Sequence, residues 1–175
     1  MKTLFNSKSS ILACFLIFIT LLIITVIGSM FDIYRFPSSS MEPTLRKNDI
    51  VIIRNWPIHS LKAGTLVVSK AVAYKPPIPL KHNVDDYLWL RRIAGEPGDK
   101  VYWNAEGVYN PKRENELISI GKPRNSPSDS DHVVELKENE YFLIGDNYRS
   151  AIDSRHFGPV HADDIIGEVT SVINR

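Results

Sequence analysis

Hydrophobic positions come first as one long block and afterwards only in short runs. From Ile11 to Ile27 every residue is apolar except Thr20 and Thr25, and Gly28 to Phe31 extend the block. About 20 such residues cross a bilayer core as a helix, because backbone polar groups there must find partners within the segment. The pattern therefore predicts a short N-terminal segment over 1–9 and a transmembrane anchor over 10–31. Lys2 and Lys8 precede the block, whereas Asp32 and Arg35 follow it. The positive-inside bias then leaves residues 1–9 in the cytoplasm and carries the rest across the membrane. The competing reading is a cleaved signal peptide, for which the block is long and the small-residue exit Val26-Ile27-Gly28 is poor.

After the anchor the runs are short, rich in β-branched residues and separated by turn formers. They predict strands in Asp49–Trp56, Gly64–Lys70, Tyr87–Gly95, Lys100–Trp103, His132–Leu136, Glu140–Asp146 and Ile165–Ile173. Eleven prolines, with frequent Asn, Asp and Gly, break any long helical period. The expected fold is mainly β, a barrel-like or closed sheet domain over 36–175 following one N-terminal transmembrane helix. Two segments read as irregular connections: the proline-rich Ala73–Asp86, and a polar excursion at about 108–132 whose core is Asn110–Asp131.

Composition narrows the chemistry. With 175 residues and a net charge of +1, the chain has neither the basic stripe of a nucleic-acid binder nor an acidic tail. Its single cysteine, Cys14, lies in the apolar block and makes no intrachain disulfide. No Cys/His cluster has metal-ligand spacing and no glycine loop suits phosphate, so neither metal nor cofactor is expected.

Three separated stretches carry the candidate chemistry: PSSSMEPTL (Pro37–Leu45), LRRIAGEPGDKV (Leu90–Val101) and GDNYRSAIDSRHFGPV (Gly145–Val160). Singly, each reads as a cap or a tight turn. In this order, outside an N-terminal anchor, they resemble the type I signal peptidase family, which has a conjugative-transfer branch of similar short layout. The resemblance covers most of the chain from Pro37 onward. It implies a largely β serine endopeptidase at the outer face of the cytoplasmic (inner) membrane, with its catalytic domain periplasmic or extracytoplasmic. Such an enzyme removes signal or leader peptides from exported or pilin-type precursors after small residues. Its partners would be those precursors and membrane lipid.

Position by position, the resemblance makes Ser40 the nucleophile and Ser38 the hydroxyl that supports the oxyanion beside the Ser40 amide, with Ser39 between them. Met41, Trp89 and Leu90 fall at substrate-binding positions, the latter two on a strand that pairs with an extended substrate. Arg92, Asp146, Asn147, Asp153 and Arg155 match supporting residues, Arg92 pairing with Asp146.

Two positions depart from the family. A serine hydroxyl needs a base, and the family supplies a lysine kept neutral by apolar surroundings. Counting four back from Gly95, that position is Arg91, and an arginine, which stays protonated in proteins, cannot serve as that base. The serine that orients the family's lysine falls at Ala151, with Ser150 one place away. Lys70, Lys81, His82, Lys100 and His156 are the remaining candidate bases. The sequence thus leaves two expectations: a working peptidase, or a catalytically silent paralogue that binds precursors or pilins and assists their assembly.

Overall fold

The computed structural model describes residues 7–55, 61–70, 88–113 and 126–174. The apolar block forms one helix, α1 (Ser7–Ser29). At 23 residues it is roughly 34 Å long, enough to cross a bilayer. Thr20 and Thr25 donate their hydroxyls to the carbonyls of Leu16 and Leu21, so neither leaves an unpaired polar group on the apolar surface.

Among the described residues ten strands follow: β1 (Phe31–Arg35), β2 (Ile50–Arg54), β3 (Leu66–Lys70), β4 (Leu88–Gly95), β5 (Lys100–Asn104), β6 (Gly107–Tyr109), β7 (His132–Glu135), β8 (Glu140–Ile144), β9 (Val160–His161) and β10 (Ile165–Ile173). A single short helix, α2 (Ser154–Phe157), lies between β8 and β9. The fold is mainly β, as the β-branched runs predict. Seven strands form an antiparallel sheet in the order β1-β2-β10-β3-β4-β8-β9, and β6-β5-β7 form a second. Register shifts between Ile93 and Gly95 and twice in β10 curl the large sheet. It stays open between its edge strands β1 and β9.

Three strands lie where the pattern predicts none. Phe31 closes the predicted anchor and no strand is predicted over Asp32–Arg35, yet Phe31–Arg35 pairs residue for residue with Arg54–Ile50. Strands β6 and β9 have three and two residues, too few to show a period. Within the polar excursion, Gly107–Tyr109 is therefore paired backbone, and Asn110 is buried, donating to the Ala94 carbonyl at 2.9 Å. The proline-rich loop lies outside the described residues.

Phe36, Met41, Leu45, Val51, Ile53, Val68 and Leu90 form one buried cluster under the first sequence stretch. Full burial of side chains of this size contributes about 1.5–3 kcal/mol each. The segment between β1 and β2 is therefore held from below by Met41 and Leu45, although it has no strand of its own.

Candidate active site

The backbone around Ser40 is tied to the third stretch before any side chain acts. The Asn147 amide donates to the Ser40 carbonyl at 3.0 Å, and the Asn147 side chain donates to the Ser39 carbonyl at 3.1 Å. Gly145 completes the fit, since a Cβ there would lie 2.3 Å from the Ala151 Cβ and 2.7 Å from the Ser40 carbonyl oxygen. Beneath it, Asp146 accepts from Arg92 Nε at 2.9 Å and Nη2 at 2.6 Å, and also from the Thr44 hydroxyl. This buried fork joins all three stretches, because Thr44, Arg92 and Asp146 come one from each.

Arg91 and Arg92 are neighbours in β4, so their side chains leave opposite faces of the sheet. Arg92 serves the fork. Arg91, only 7% exposed, reaches the serine: its Nη1 donates to Ser40 Oγ at 3.0 Å. The same nitrogen donates to the Leu90 carbonyl at 2.6 Å, while Nε and Nη2 donate to the Ile152 carbonyl at 3.1 and 2.7 Å. The Arg91 guanidinium also stands 5.2 Å from the Trp89 ring centroid. Burial is the largest influence on this group and lowers its pKa to about 10, with Asp153 pulling upward and Arg155 downward.

Ser38 Oγ accepts from the Ser40 amide at 3.1 Å, which brings the two candidate oxyanion donors together beside the nucleophile. Ser38 is half-buried, Ser39 exposed and Ser40 buried. Ser38, Ser40, Trp89, Leu90 and Arg91 line one groove of about 250 Å³ with Tyr34, Phe36 and Leu88. Met41 is not part of it and is fully buried in the core beneath.

The other candidate bases are engaged elsewhere or lie outside the described residues. Lys70 Nζ is 4.0 Å from Asp164, and Lys100 Nζ stands over the Tyr102 ring. His156 Nδ1 accepts from the Asp153 amide at 3.2 Å, capping α2. Lys81 and His82 fall outside the described residues. Arg91 is the side chain that meets Ser40 Oγ with a nitrogen among the described residues.

Asp153 anchors the turn that carries the Ile152 carbonyl. Arg155 donates to both of its oxygens at 2.7 Å, and the Gly145 amide to one at 3.0 Å. Burial alone would raise the Asp153 pKa, but the adjoining His156 ring, the hydrogen bonds and charge of Arg155 and the Gly145 amide together hold it below the ordinary value. A depressed folded-state pKa stabilises the fold above the unfolded value of about 3.9 and is lost as pH falls through the lower folded value. In an acid titration followed by circular dichroism, wild type should therefore lose stability below about pH 4. Asp153→Asn should be less stable than wild type at pH 7, the difference shrinking toward acid; a difference independent of pH would contradict this.

Two contributors are missing from the residues singled out in the sequence. Ile152 acts through its backbone carbonyl, which no side-chain pattern shows. Thr44 was inside the first stretch, where its hydroxyl was the available signal.

A serine hydroxyl met by a basic side chain, with an amide and a second hydroxyl beside it, on a β domain behind an apolar helix, is the arrangement that a serine acyl-transfer site would need. The model of the family "Signal peptidase, peptidase S26" matches residues 8–173. A probable signal peptidase I-2 of Synechocystis sp. is 31% identical over 133 residues, 75% of this chain and 57% of that relative. Signal peptidase IB of Staphylococcus aureus is 26% identical over 152 residues, 78% of this chain and 74% of the relative. A solved signal peptidase I of Enterococcus faecalis aligns with a TM-score of 0.46 at 20% identity, covering 65% of this chain and 100% of that one. The chain belongs to the signal peptidase family, peptidase S26.

Proposed function

We propose that the chain is a single-pass serine endopeptidase of the signal peptidase I type in the cytoplasmic (inner) membrane. Its N-terminus is cytoplasmic, and its β domain cuts exported precursors after small residues on the periplasmic or extracytoplasmic side. The contact between Ser40 Oγ and Arg91 Nη1 at 3.0 Å carries this reading, because it sets a basic nitrogen against the nucleophile inside a peptide-sized groove. Ser40 Oγ attacks the scissile carbonyl as its proton passes to neutral Arg91. The Ser40 amide and the Ser38 hydroxyl hold the oxyanion, each donor contributing about 2.7–4 kcal/mol. The proton then goes to the leaving amine, and water hydrolyses the acyl-enzyme.

The proton step limits the rate. Burial lowers the Arg91 pKa to about 10, so the charged form still dominates at pH 7 and 8. Ser40→Ala beside wild type, followed by precursor gel shift, tests the reading. Precursor should accumulate in the variant; equal processing by both overturns the assignment of Ser40.

One observation favours the silent paralogue as a second reading. The guanidinium donates to Ser40 Oγ, the reverse of the direction that deprotonation needs, and three further hydrogen bonds fix it there. In that reading the groove binds precursors or pilins without cutting them. Turnover of a signal-peptide substrate by purified wild type excludes it.

A further inference from the structure

We propose that Arg91, Ser40 and Ser38 form a binding site for a small monovalent inorganic anion of the halide class. The site itself stands on charge and on unmatched donors. Only its consequence, competition with the oxyanion of cleavage, rests on the signal-peptidase reading.

Arg92 and Asp146 form a closed pair, whereas Arg91 and Arg155 share the single carboxylate of Asp153. Asp153 attracts Arg91, yet both of its oxygens accept from Arg155. The Arg91 guanidinium is buried, and its own hydrogen bonds go only to neutral groups: the carbonyls of Leu90 and Ile152 and the Ser40 hydroxyl. Two positive charges against one negative leave one positive charge unbalanced. A buried charge without a counter-ion is strongly disfavoured, and an arriving anion relieves it.

The donors point the same way. Ser40 Oγ accepts from Arg91 Nη1, and Ser38 Oγ accepts from the Ser40 amide. Neither hydroxyl donates to a described residue, and a hydroxyl proton rotates to suit its acceptor. The guanidinium uses four of its five N–H groups and leaves one on Nη2. Three donors thus stand without a matching acceptor, all on residues that line the groove. The Ser40 amide is not among them, because Ser38 already holds it.

Charge and surroundings select the anion. One excess positive charge is matched by a monovalent ion, whereas a divalent phosphate brings more charge than the cluster neutralises. Phe36, Leu88, Trp89 and Leu90 make much of the groove wall apolar. A weakly hydrated guanidinium beside such a wall favours a weakly hydrated partner, bromide over chloride over fluoride. An ion there takes the same hydroxyl donors that the oxyanion needs, and it holds Arg91 in the charged form that cannot accept the Ser40 proton. It therefore inhibits cleavage in competition with the precursor.

The test uses the full chain in detergent at pH 7 and constant ionic strength, with sodium gluconate replaced stepwise by sodium chloride or bromide. Melting temperature is read for both salts, and tryptophan fluorescence for chloride, because Trp89 stands against the Arg91 guanidinium. Chloride should raise the melting temperature saturably, by about 3–6 °C at roughly ten times its dissociation constant. Bromide should saturate at lower concentration. Arg91→Gln should lose the response, and Ser38→Ala should bind at least about fivefold more weakly. The wild-type comparison needs no variant to fold. No difference between chloride and gluconate overturns the site, and a response kept in Arg91→Gln overturns its placement at Arg91. In precursor cleavage, chloride should raise KM severalfold and leave kcat unchanged. Binding without that rise overturns the competition with the oxyanion. A protein that binds chloride but cuts nothing at any chloride concentration fails the peptidase reading alone and leaves the anion site standing.

Discussion

Arg91→Lys combined with Ala151→Ser is expected to raise precursor cleavage at pH 7 by about 10²–10⁴-fold, the usual contribution of a positioned general base. The pocket is already suited to a neutral amine. It is buried, it is bounded by Leu90 and Ile152, and desolvation is its dominant electrostatic effect. The same desolvation that brings arginine to about 10 starts, for lysine, from a reference near 10.4 and carries it toward neutrality. The Ala151→Ser change restores a hydroxyl where the family places its orienting serine. The signs of the pH profiles follow. Wild-type rate should climb as pH rises above 7, as the neutral guanidine accumulates. The double variant should level off at lower pH. Initial rates on a fluorogenic signal-peptide substrate measure both, and a double variant no faster than wild type would remove Arg91 as the limiting group.

The second large effect is on stability. Asp146→Ala should lower folding free energy by about 3–5 kcal/mol, because it leaves the Arg92 guanidinium buried without its partner. In a domain of this size that is roughly 10–20 °C in melting temperature. The double variant Arg92→Met, Asp146→Leu should recover much of the loss, since apolar replacement of a whole buried pair is often neutral. Differential scanning calorimetry distinguishes the two. A single variant melting within about 2 °C of wild type would mean that the fork does not hold the three stretches together.

The large sheet was legible because its main strands are β-branched runs bounded by Gly, Pro and Asn, and burial on one face leaves that composition behind. Strand β1 was hidden by its neighbour: Phe31, Ile33 and Tyr34 are apolar and follow an apolar helix, so only pairing with β2 separates them from the anchor. For the site, the family motifs singled out the nucleophile stretch and implied the Arg92–Asp146 pair, which the structure forms. They did not give Met41, whose place in the motif suggests a substrate contact while its side chain is wholly buried. Nor did they give the state of Arg91. The letter says a permanent cation, whereas a lowered pKa depends on burial and on two carbonyls brought from 61 residues away and from the adjacent residue.

Only Met30 separates the end of α1 from the start of β1, and its carbonyl accepts from the Asn55 amide at 2.9 Å. Asn55 also donates to Asp32 at 2.7 Å. Helix and sheet are thus joined without slack, and the joint works as a lever arm. A bilayer thinner than the helix is accommodated by tilting the helix, and with no flexible linker that tilt passes into the sheet. In the membrane-anchored peptidase proposed above, membrane thickness would thereby act as a mechanical input to the angle at which the groove meets a chain emerging from the lipid.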